Sequence, residues 1–178
     1  MSVGSITIER MFVLGIDPGL TRCGFGLVEG SFHGVESFRA VRAGVLETDV
    51  TLEVERRLAQ IHDDVAALLS DTRPDAVVVE RVFFQRNALT AIPVAQASGI
   101  AVGLAGSRGL VVRQFTAQQV KMAVTGYGAA PKSQVQAMVA QLCGLSDIPR
   151  PPDAADALGL AITYFMTERV ERRMVAAT

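Results

Sequence analysis

The sequence has few cysteines and no long apolar run, and these shortages exclude several classes of protein. Cys23 and Cys143 are the only two thiols, so the chain has neither a disulfide framework nor a zinc-binding spacing. No apolar stretch approaches the roughly 18 residues that a membrane-spanning helix needs. The opening segment, MSVGSITIER, lacks the basic and apolar regions of a signal peptide. We therefore expect a cytoplasmic protein with reduced thiols and no association with a membrane.

Acidic residues are scarce in the middle of the chain. Residues 1–80 hold 7 Arg against 13 Asp and Glu, a net of −6, whereas residues 81–150 hold 7 Arg and Lys against one acid, Asp147, a net of +6. A long segment with one acid predicts a basic surface that meets a polyanion, although the same cations could be scattered over solvated faces. Both lysines of the chain, Lys121 and Lys132, lie in this basic segment. Their position favours a need for compact ammonium groups there.

Hydrophobic periodicity predicts ten elements in the order βββαβαβααα. The first three strands are separated by glycine-rich junctions and predict an antiparallel meander. The strand DAVVVE is apolar throughout, which predicts that both of its faces are covered. With 178 residues, 49% of them apolar, the chain is long enough for one α/β domain around a mixed sheet. We expect residues 1–10 to form a short flexible extension and residues 11–178 to form that domain.

Local signals predict where the helices begin and end. The first helix is expected from Thr51 to about Ser70, and the last from the two prolines at 151 and 152 to about Arg172. Thr116 is a predicted N-cap. The fourth helix is expected to begin at Pro131 and to have Gly144 as its C-cap.

Two acids stand at the ends of predicted strands. Asp17 closes the first strand at an Asp-Pro-Gly turn, and Glu80 ends the buried strand AVVVE. An ordinary turn explains Asp17, and a solvated strand end explains Glu80. In open α/β sheets, however, ligand crevices form at the carboxyl ends of strands.

Two further acids lie in the last predicted helix, within PPDAADALGLAITYF. The helix dipole explains Asp153 near the N-terminus, but it explains Asp156 poorly, because Asp156 lies a turn deeper among apolar residues. Residues three apart share a helix face, so both carboxylates point the same way. Acids are rarely buried unless a partner compensates them.

One shared site explains the four acids better than four separate explanations. Clustered carboxylates repel one another unless a cation neutralises them, and hard oxygen ligands without histidine or cysteine suit Mg²⁺ or Mn²⁺. Two such ions form a clamp for phosphoryl displacement, in which one activates water and the other neutralises the leaving oxygen. Carboxylates at a metal, with basic residues around them, favour a nuclease.

Four segments, in this order and spacing, resemble the RuvC family of Holliday-junction resolvases, which are crossover junction endodeoxyribonucleases. They are LGIDPGLTRCGFG, VVVERVFFQRN, QQVKMAVTGYGAAPKSQVQ and DAADALGLAI, and the resemblance extends from about Met11 to about Thr167. It implies a ribonuclease H-like fold with a five-stranded mixed sheet flanked by helices. It also implies a homodimer that resolves four-way DNA junctions by paired nicks in recombination and repair, with a RuvA–RuvB branch-migration complex as partner.

The resemblance also assigns roles to residues. It makes Asp17, Glu80, Asp153 and Asp156 the catalytic ligands of two Mg²⁺ ions, with Mn²⁺ as a substitute. It implies that Lys121 and Lys132 contact DNA or support the transition state near the active site. It also implies that the loop containing Gly126 and Gly128 approaches the DNA backbone and that Phe83 stacks on unpaired bases. Of the adjacent rings Phe83 and Phe84, one is expected to be buried and Phe83 to be the exposed one. Arg81 and Arg86 flank the two rings and are expected to contact phosphates.

Two other functions remain open at the level of sequence. One is a junction-binding protein without catalytic activity, which the presence of all four acids argues against. The other is an actin-like ATP-binding domain, because GIDPGLTRCGFGLV resembles a first phosphate loop of that class. Those proteins need a second, duplicated domain, for which 178 residues leave no room.

Overall fold

A computed structural model of the chain describes residues 10–32, 38–82 and 88–176. Five strands form a mixed sheet in the spatial order β3-β2-β1-β4-β5. β1 pairs antiparallel with β2, and β2 with β3, whereas β4 runs parallel to both β1 and β5. The mixed sheet and the antiparallel meander are therefore confirmed. The strands are β1 (Met11–Asp17), β2 (Arg22–Gly30), β3 (Arg39–Glu47), β4 (Ala76–Glu80) and β5 (Val111–Phe115).

Five helices flank the sheet in the described part of the chain, and the predicted order of elements is confirmed. The first begins at Val54 rather than Thr51, because Asp49 Oδ1 accepts hydrogen bonds from the Thr51 amide (2.9 Å) and hydroxyl (2.7 Å) and holds this segment in a turn. The last continues past Arg172. The helices are α1 (Val54–Thr72), α2 (Ala88–Ser107), α3 (Ala117–Thr125), α4 (Lys132–Leu142) and α5 (Pro152–Ala176).

The sheet separates two apolar cores. β4 contributes to both: Ala76 and Val78 pack with residues of α3, α4 and α5, whereas Val77 and Val79 pack with residues of α1 and α2. This confirms that both faces of the strand are covered. No described helix is both long and apolar enough to cross a membrane.

The ends of α3 and α4 follow from their capping residues. Thr116 is the N-cap of α3, as predicted, and it forms a capping box with Gln119. Pro131 precedes α4, also as predicted, but the C-cap of this helix is Cys143 and not Gly144. Gly144 is the next residue and has a φ of 64°, a left-handed conformation that glycine adopts at low cost. Its amide donates to Gln141, which closes the end of the helix.

Candidate metal centre

The four predicted acids come together from three elements. Asp17 ends β1, and Glu80 ends β4, the parallel neighbour of β1. Asp153 and Asp156 lie in the first turns of α5. One carboxylate oxygen from each of the three aspartates lies within 4.8 Å of the others, and the Glu80 side chain hydrogen-bonds to Asp17. All four residues are partly buried.

Glycines on β1 and β2 let α5 approach the sheet closely enough to form this cluster. A Cβ atom at Gly15 would lie 1.9 Å from the backbone oxygen of Ala157, and one at Gly24 would lie 2.3 Å from that of Asp153. Gly24 is also the cross-strand partner of Asp17. The absence of a side chain at Gly24 therefore allows Asp153 to lie over the end of β1. The sequence alone predicts only a glycine-rich junction here, although the alternation of Gly24 and Gly26 in RCGFG is a signal of close packing.

The carboxylate of Asp17 has the most unfavourable surroundings in the cluster. Burial raises its pKa to about 8, reinforced by the hydrogen bond to Glu80 and by the negative charges of Glu80, Asp156 and Asp153. A hydrogen bond between two carboxyl groups requires a proton between them. A proton on Asp17 therefore neutralises this part of the cluster near neutral pH, as expected for acids that a cation would otherwise neutralise.

The two helix aspartates are each paired with a basic side chain. Lys132 Nζ lies 2.5 Å from Asp156 Oδ2, and this hydrogen bond raises the pKa of Lys132 above its usual value. Arg22 Nε donates to Asp153 Oδ2 at 3.1 Å. Lys132 was expected near the site. Arg22 was missed, because its proximity to α5 appears only after the chain has folded.

The donor chemistry of the cluster suits a hard divalent cation. The described groups that could hold a metal ion form one cluster of three aspartates, and carboxylate oxygens are the ligands that Mg²⁺ and Mn²⁺ prefer. Cys23 lies at the start of β2, but burial raises the pKa of its thiol to about 12. It therefore remains a neutral thiol rather than a thiolate ligand.

Three acids of the cluster, Asp17, Glu80 and Asp156, line a cavity of about 290 Å³ together with Lys121 and Lys132. A wider cleft of about 690 Å³ shares Glu80 and Lys121 with it. The two volumes together form an open path from the acids to the surface of the molecule.

The predicted DNA contacts are distributed unevenly around this path. Arg81 and Gly128 line the wider cleft. Gly126 lines neither volume; it is the C-cap of α3, with a φ of 74°. Phe83 and Arg86 lie outside the described residues.

The mixed sheet has five strands and carries acids at the ends of its central strands, and a helix adds two more carboxylates. These features define a ribonuclease H-like protein with the carboxylate cluster of a nuclease. Residues 13–164 match the family model of "Crossover junction endodeoxyribonuclease RuvC". The chain belongs to this family.

Individual relatives agree with this assignment. The chain is 50% identical to the crossover junction endodeoxyribonuclease RuvC of Frankia casuarinae over 86% of its own length and 88% of the relative's. Among solved structures it is similar to Thermus thermophilus RuvC in complex with Holliday junction substrate, with a TM-score of 0.84, 37% identity and coverage of 90% of this chain and 96% of that one. The yeast mitochondrial Holliday junction resolvase Ydc2 shares the fold, with a TM-score of 0.65 and 14% identity over 96% of this chain and 86% of that one.

Proposed function

We propose that this chain is a structure-selective endonuclease that resolves four-way DNA junctions by paired, symmetric nicks in recombination and repair. The observation that carries the proposal is the cluster of four acids, three of which line a cavity together with Lys121 and Lys132. Membership of the RuvC family supports it, and so does the relative from Thermus thermophilus, which was solved with a Holliday junction substrate. Residues 11–178 would form the nuclease domain.

The site uses divalent metal, and we propose two Mg²⁺ ions, for which Mn²⁺ can substitute. Asp17, Glu80, Asp153 and Asp156 would hold them. When bound, Mg²⁺ lowers the pKa of water and stabilises negative charge on a leaving 3′ oxygen. Asp17 faces both Glu80 on β4 and the aspartates on α5, so it is the residue best placed to be shared between two ions.

The basic residues of the cleft would bind and orient the DNA strand. Lys121 lines both volumes, and Lys132 reaches Asp156 from α4. An ammonium group at either position can neutralise a phosphate beside the acids, and Arg81 can do so further out in the cleft. Stacking of Phe83 on an unpaired base and a phosphate contact by Arg86 remain expectations from the family resemblance.

We further propose a homodimer in the cytoplasm that works with a RuvA–RuvB branch-migration complex. Paired nicks in two strands of one junction need two active sites, and a symmetric dimer supplies them. The best-supported interface is α2, which contains no charged residue from Ala88 to Ser107. Ile92 is exposed on this helix, and Gly99 and Gly103 leave open space in which a second helix could pack closely.

Cleavage of a synthetic four-way junction with a mobile core tests the proposed function. We expect paired, ligatable nicks with 5′ phosphate and 3′ hydroxyl ends in Mg²⁺ and none in EDTA. Asp17→Asn and Asp153→Asn should abolish cleavage and leave junction binding intact or tighter, because each removes a negative charge that repels phosphate. Asp63→Asn is the matched control. Asp63 lies on the exposed face of α1, so this variant should cleave the junction like the wild type.

Two results would contradict the proposal. Cleavage by Asp153→Asn at the wild-type rate would show that the proposed ligands are wrong. Tight binding without any nicks, in either metal, would instead identify a junction-binding protein without catalytic activity.

A further inference from the structure

Arg22 contacts two acids at the edge of the metal centre, and only one of them belongs to that centre. Its Nε donates to Asp153 Oδ2 at 3.1 Å, and its Nη1 lies 3.6 Å from Glu47 Oε1. Arg22 opens β2 and Glu47 ends β3, and the two residues are direct cross-strand partners. The guanidinium therefore lies between a proposed metal ligand on α5 and an acid that has no place in the proposed ligand set.

The charges at the site indicate what happens when a divalent cation enters. Asp153 can be compensated by Arg22 or by a metal ion, and a metal ion brings more charge to the same carboxylate. Arg22 would then be a surplus cation beside a divalent one, and like charges at short range repel each other. Glu47 is 66% exposed and is already within reach, so it can accept the arginine without any change in the backbone.

An ion-pair cluster elsewhere in the sheet contrasts with the pair formed by Arg22 and Asp153. Glu29 is buried on β2 and is paired with both Arg10 and Arg39, so its charge is compensated twice over by side chains. Asp153 has Arg22 as its basic partner, its side chain is 31% exposed, and that arginine has a second acceptor. This is the arrangement of a pair that can open.

We propose that Arg22 is a positioning residue that compensates Asp153 when no divalent cation is bound and moves to Glu47 when a cation binds. The inference rests on the proposed use of metal by this site. It makes Arg22 a competitor of the cation and makes Glu47 the group that weakens this competition.

Calorimetric titration of EDTA-treated protein with Mn²⁺, without DNA, tests the inference. Arg22→Gln should bind Mn²⁺ more tightly by roughly twofold to fivefold, the range expected for a partly exposed ion pair, because the competing charge is gone. Glu47→Gln should bind it more weakly by a similar factor, because Arg22 then stays on Asp153. Arg42→Gln is the matched control. It removes an ion pair between Arg42 on β3 and Asp71 on α1, and it should leave the affinity for Mn²⁺ unchanged.

The double variant separates this exchange from a general effect of charge. If Glu47 acts through Arg22, Glu47→Gln should have little effect in the Arg22→Gln background. Equal weakening in both backgrounds would overturn the inference. So would weaker Mn²⁺ binding by Arg22→Gln, because Arg22 would then support the ligand instead of competing with the metal.

A measurement on the wild-type protein does not depend on substitutions at Arg22 or Glu47. Titration with Mg²⁺ should shift the NMR signal of the Arg22 Nε–H group as its acceptor changes, and Asp17→Asn should abolish the shift. If Mg²⁺ binds but this signal does not move, the inference fails and the proposed function stands. If the wild type shows no metal binding that depends on Asp17, both fail.

Discussion

Asp17 is the residue at which charge repulsion in this protein is concentrated. It is partly buried, and it faces Glu80 on β4 and two aspartates on α5. A carboxyl group whose pKa is higher in the folded chain than in the unfolded chain binds a proton only in the folded chain between those two values. Because the pKa of Asp17 rises from 3.8 to about 8, this group makes the protein less stable as pH increases through that window.

Replacement of Asp17 should therefore stabilise the protein in the absence of metal. In EDTA, the free energy of unfolding of the wild type should fall between about pH 5 and about pH 8, and that of Asp17→Asn should fall less, so that the variant is the more stable protein at the upper end. Denaturant titrations at both pH values measure the difference. Mg²⁺ should stabilise the wild type at the higher pH and leave Asp17→Asn unchanged.

An exposed acid provides the control for this measurement. Glu55 on α1 is exposed, and Glu55→Gln should show the same dependence on pH as the wild type. If Asp17→Asn follows the wild-type curve as well, the raised pKa of Asp17 does not contribute to the dependence of stability on pH.

Single residues also show which parts of the site can be predicted from sequence. Asp156 could be identified because an acid among alanines and leucines on a buried helix conflicts with its local context. Arg22 lies in an ordinary position at the start of a strand, and nothing near it in the sequence distinguishes it from any other surface arginine. Its role depends on Asp153, which reaches it only through the packing of α5 against β2.

At the scale of elements, the contact between α5 and the first hairpin determines the geometry of the site. Gly15 and Gly26 are cross-strand partners on β1 and β2. A Cβ atom at Gly26 would lie 2.7 Å from the backbone nitrogen of Leu158, so this glycine also faces the helix. Backbone contacts of this kind leave little freedom for α5 to shift.

An added methyl group at this contact should displace α5. Gly15→Ala places a Cβ atom 1.9 Å from the backbone oxygen of Ala157, and we expect a loss of about 3 kcal/mol or more in the free energy of unfolding. Denaturant titration measures this loss. Calorimetric titration of the folded fraction should show weakened Mg²⁺ binding, because Asp153 and Asp156 move with the helix.

The matched control is Gly106→Ala on α2. A Cβ atom at Gly106 meets nothing within 4 Å in the same chain, so in dilute, monomeric protein this change should be neutral or stabilising by up to about 1 kcal/mol, as expected when alanine replaces glycine in a helix. Wild-type stability in Gly15→Ala would contradict the close approach of α5 to β1.

The order and type of the elements could be predicted because each has its own periodicity and its own end signals. The capping box of Thr116 and the buried valines of β4 are local features of this kind. The exact ends of the elements were harder to predict. The helix α1 starts later than expected because the Asp49 side chain holds Thr51 in a turn. Such competition between a side chain and the helix for backbone hydrogen bonds is not visible in hydrophobic periodicity.

At the scale of the whole molecule, charge is divided between two regions. Residues 1–80 carry a net charge of −6 and residues 81–150 a net charge of +6. The acidic region includes α1, on the face of the sheet opposite α5, whereas the basic region supplies Lys121, Lys132 and Arg81 to the cleft. This arrangement favours approach of a polyanion to the cleft and disfavours its approach to α1.

The salt dependence of junction binding should distinguish basic residues of the cleft from basic residues elsewhere. In EDTA, Lys121→Ala should weaken binding and reduce the slope of log K against log salt concentration by about 1, because one phosphate contact is lost. Fluorescence anisotropy across a series of salt concentrations measures the slope.

Arg108→Ala is the control within the same basic segment. Arg108 lies at the end of α2 and donates to the Ala66 carbonyl on α1 at 3.1 Å, away from the cleft. Its replacement should leave the slope unchanged. Equal effects of the two substitutions would mean that the net charge of the segment, and not the cleft, governs binding.

The site is assembled from elements that are far apart in the order of synthesis. β1 carries Asp17 and is made first, whereas α5 carries Asp153 and Asp156 and follows all the other described elements. Until α5 has emerged from the ribosome, a growing chain therefore lacks the complete set of ligands. It also lacks the helix that packs against the glycines of β1 and β2. Fragments left by interrupted translation before α5 would therefore lack two of the four proposed ligands.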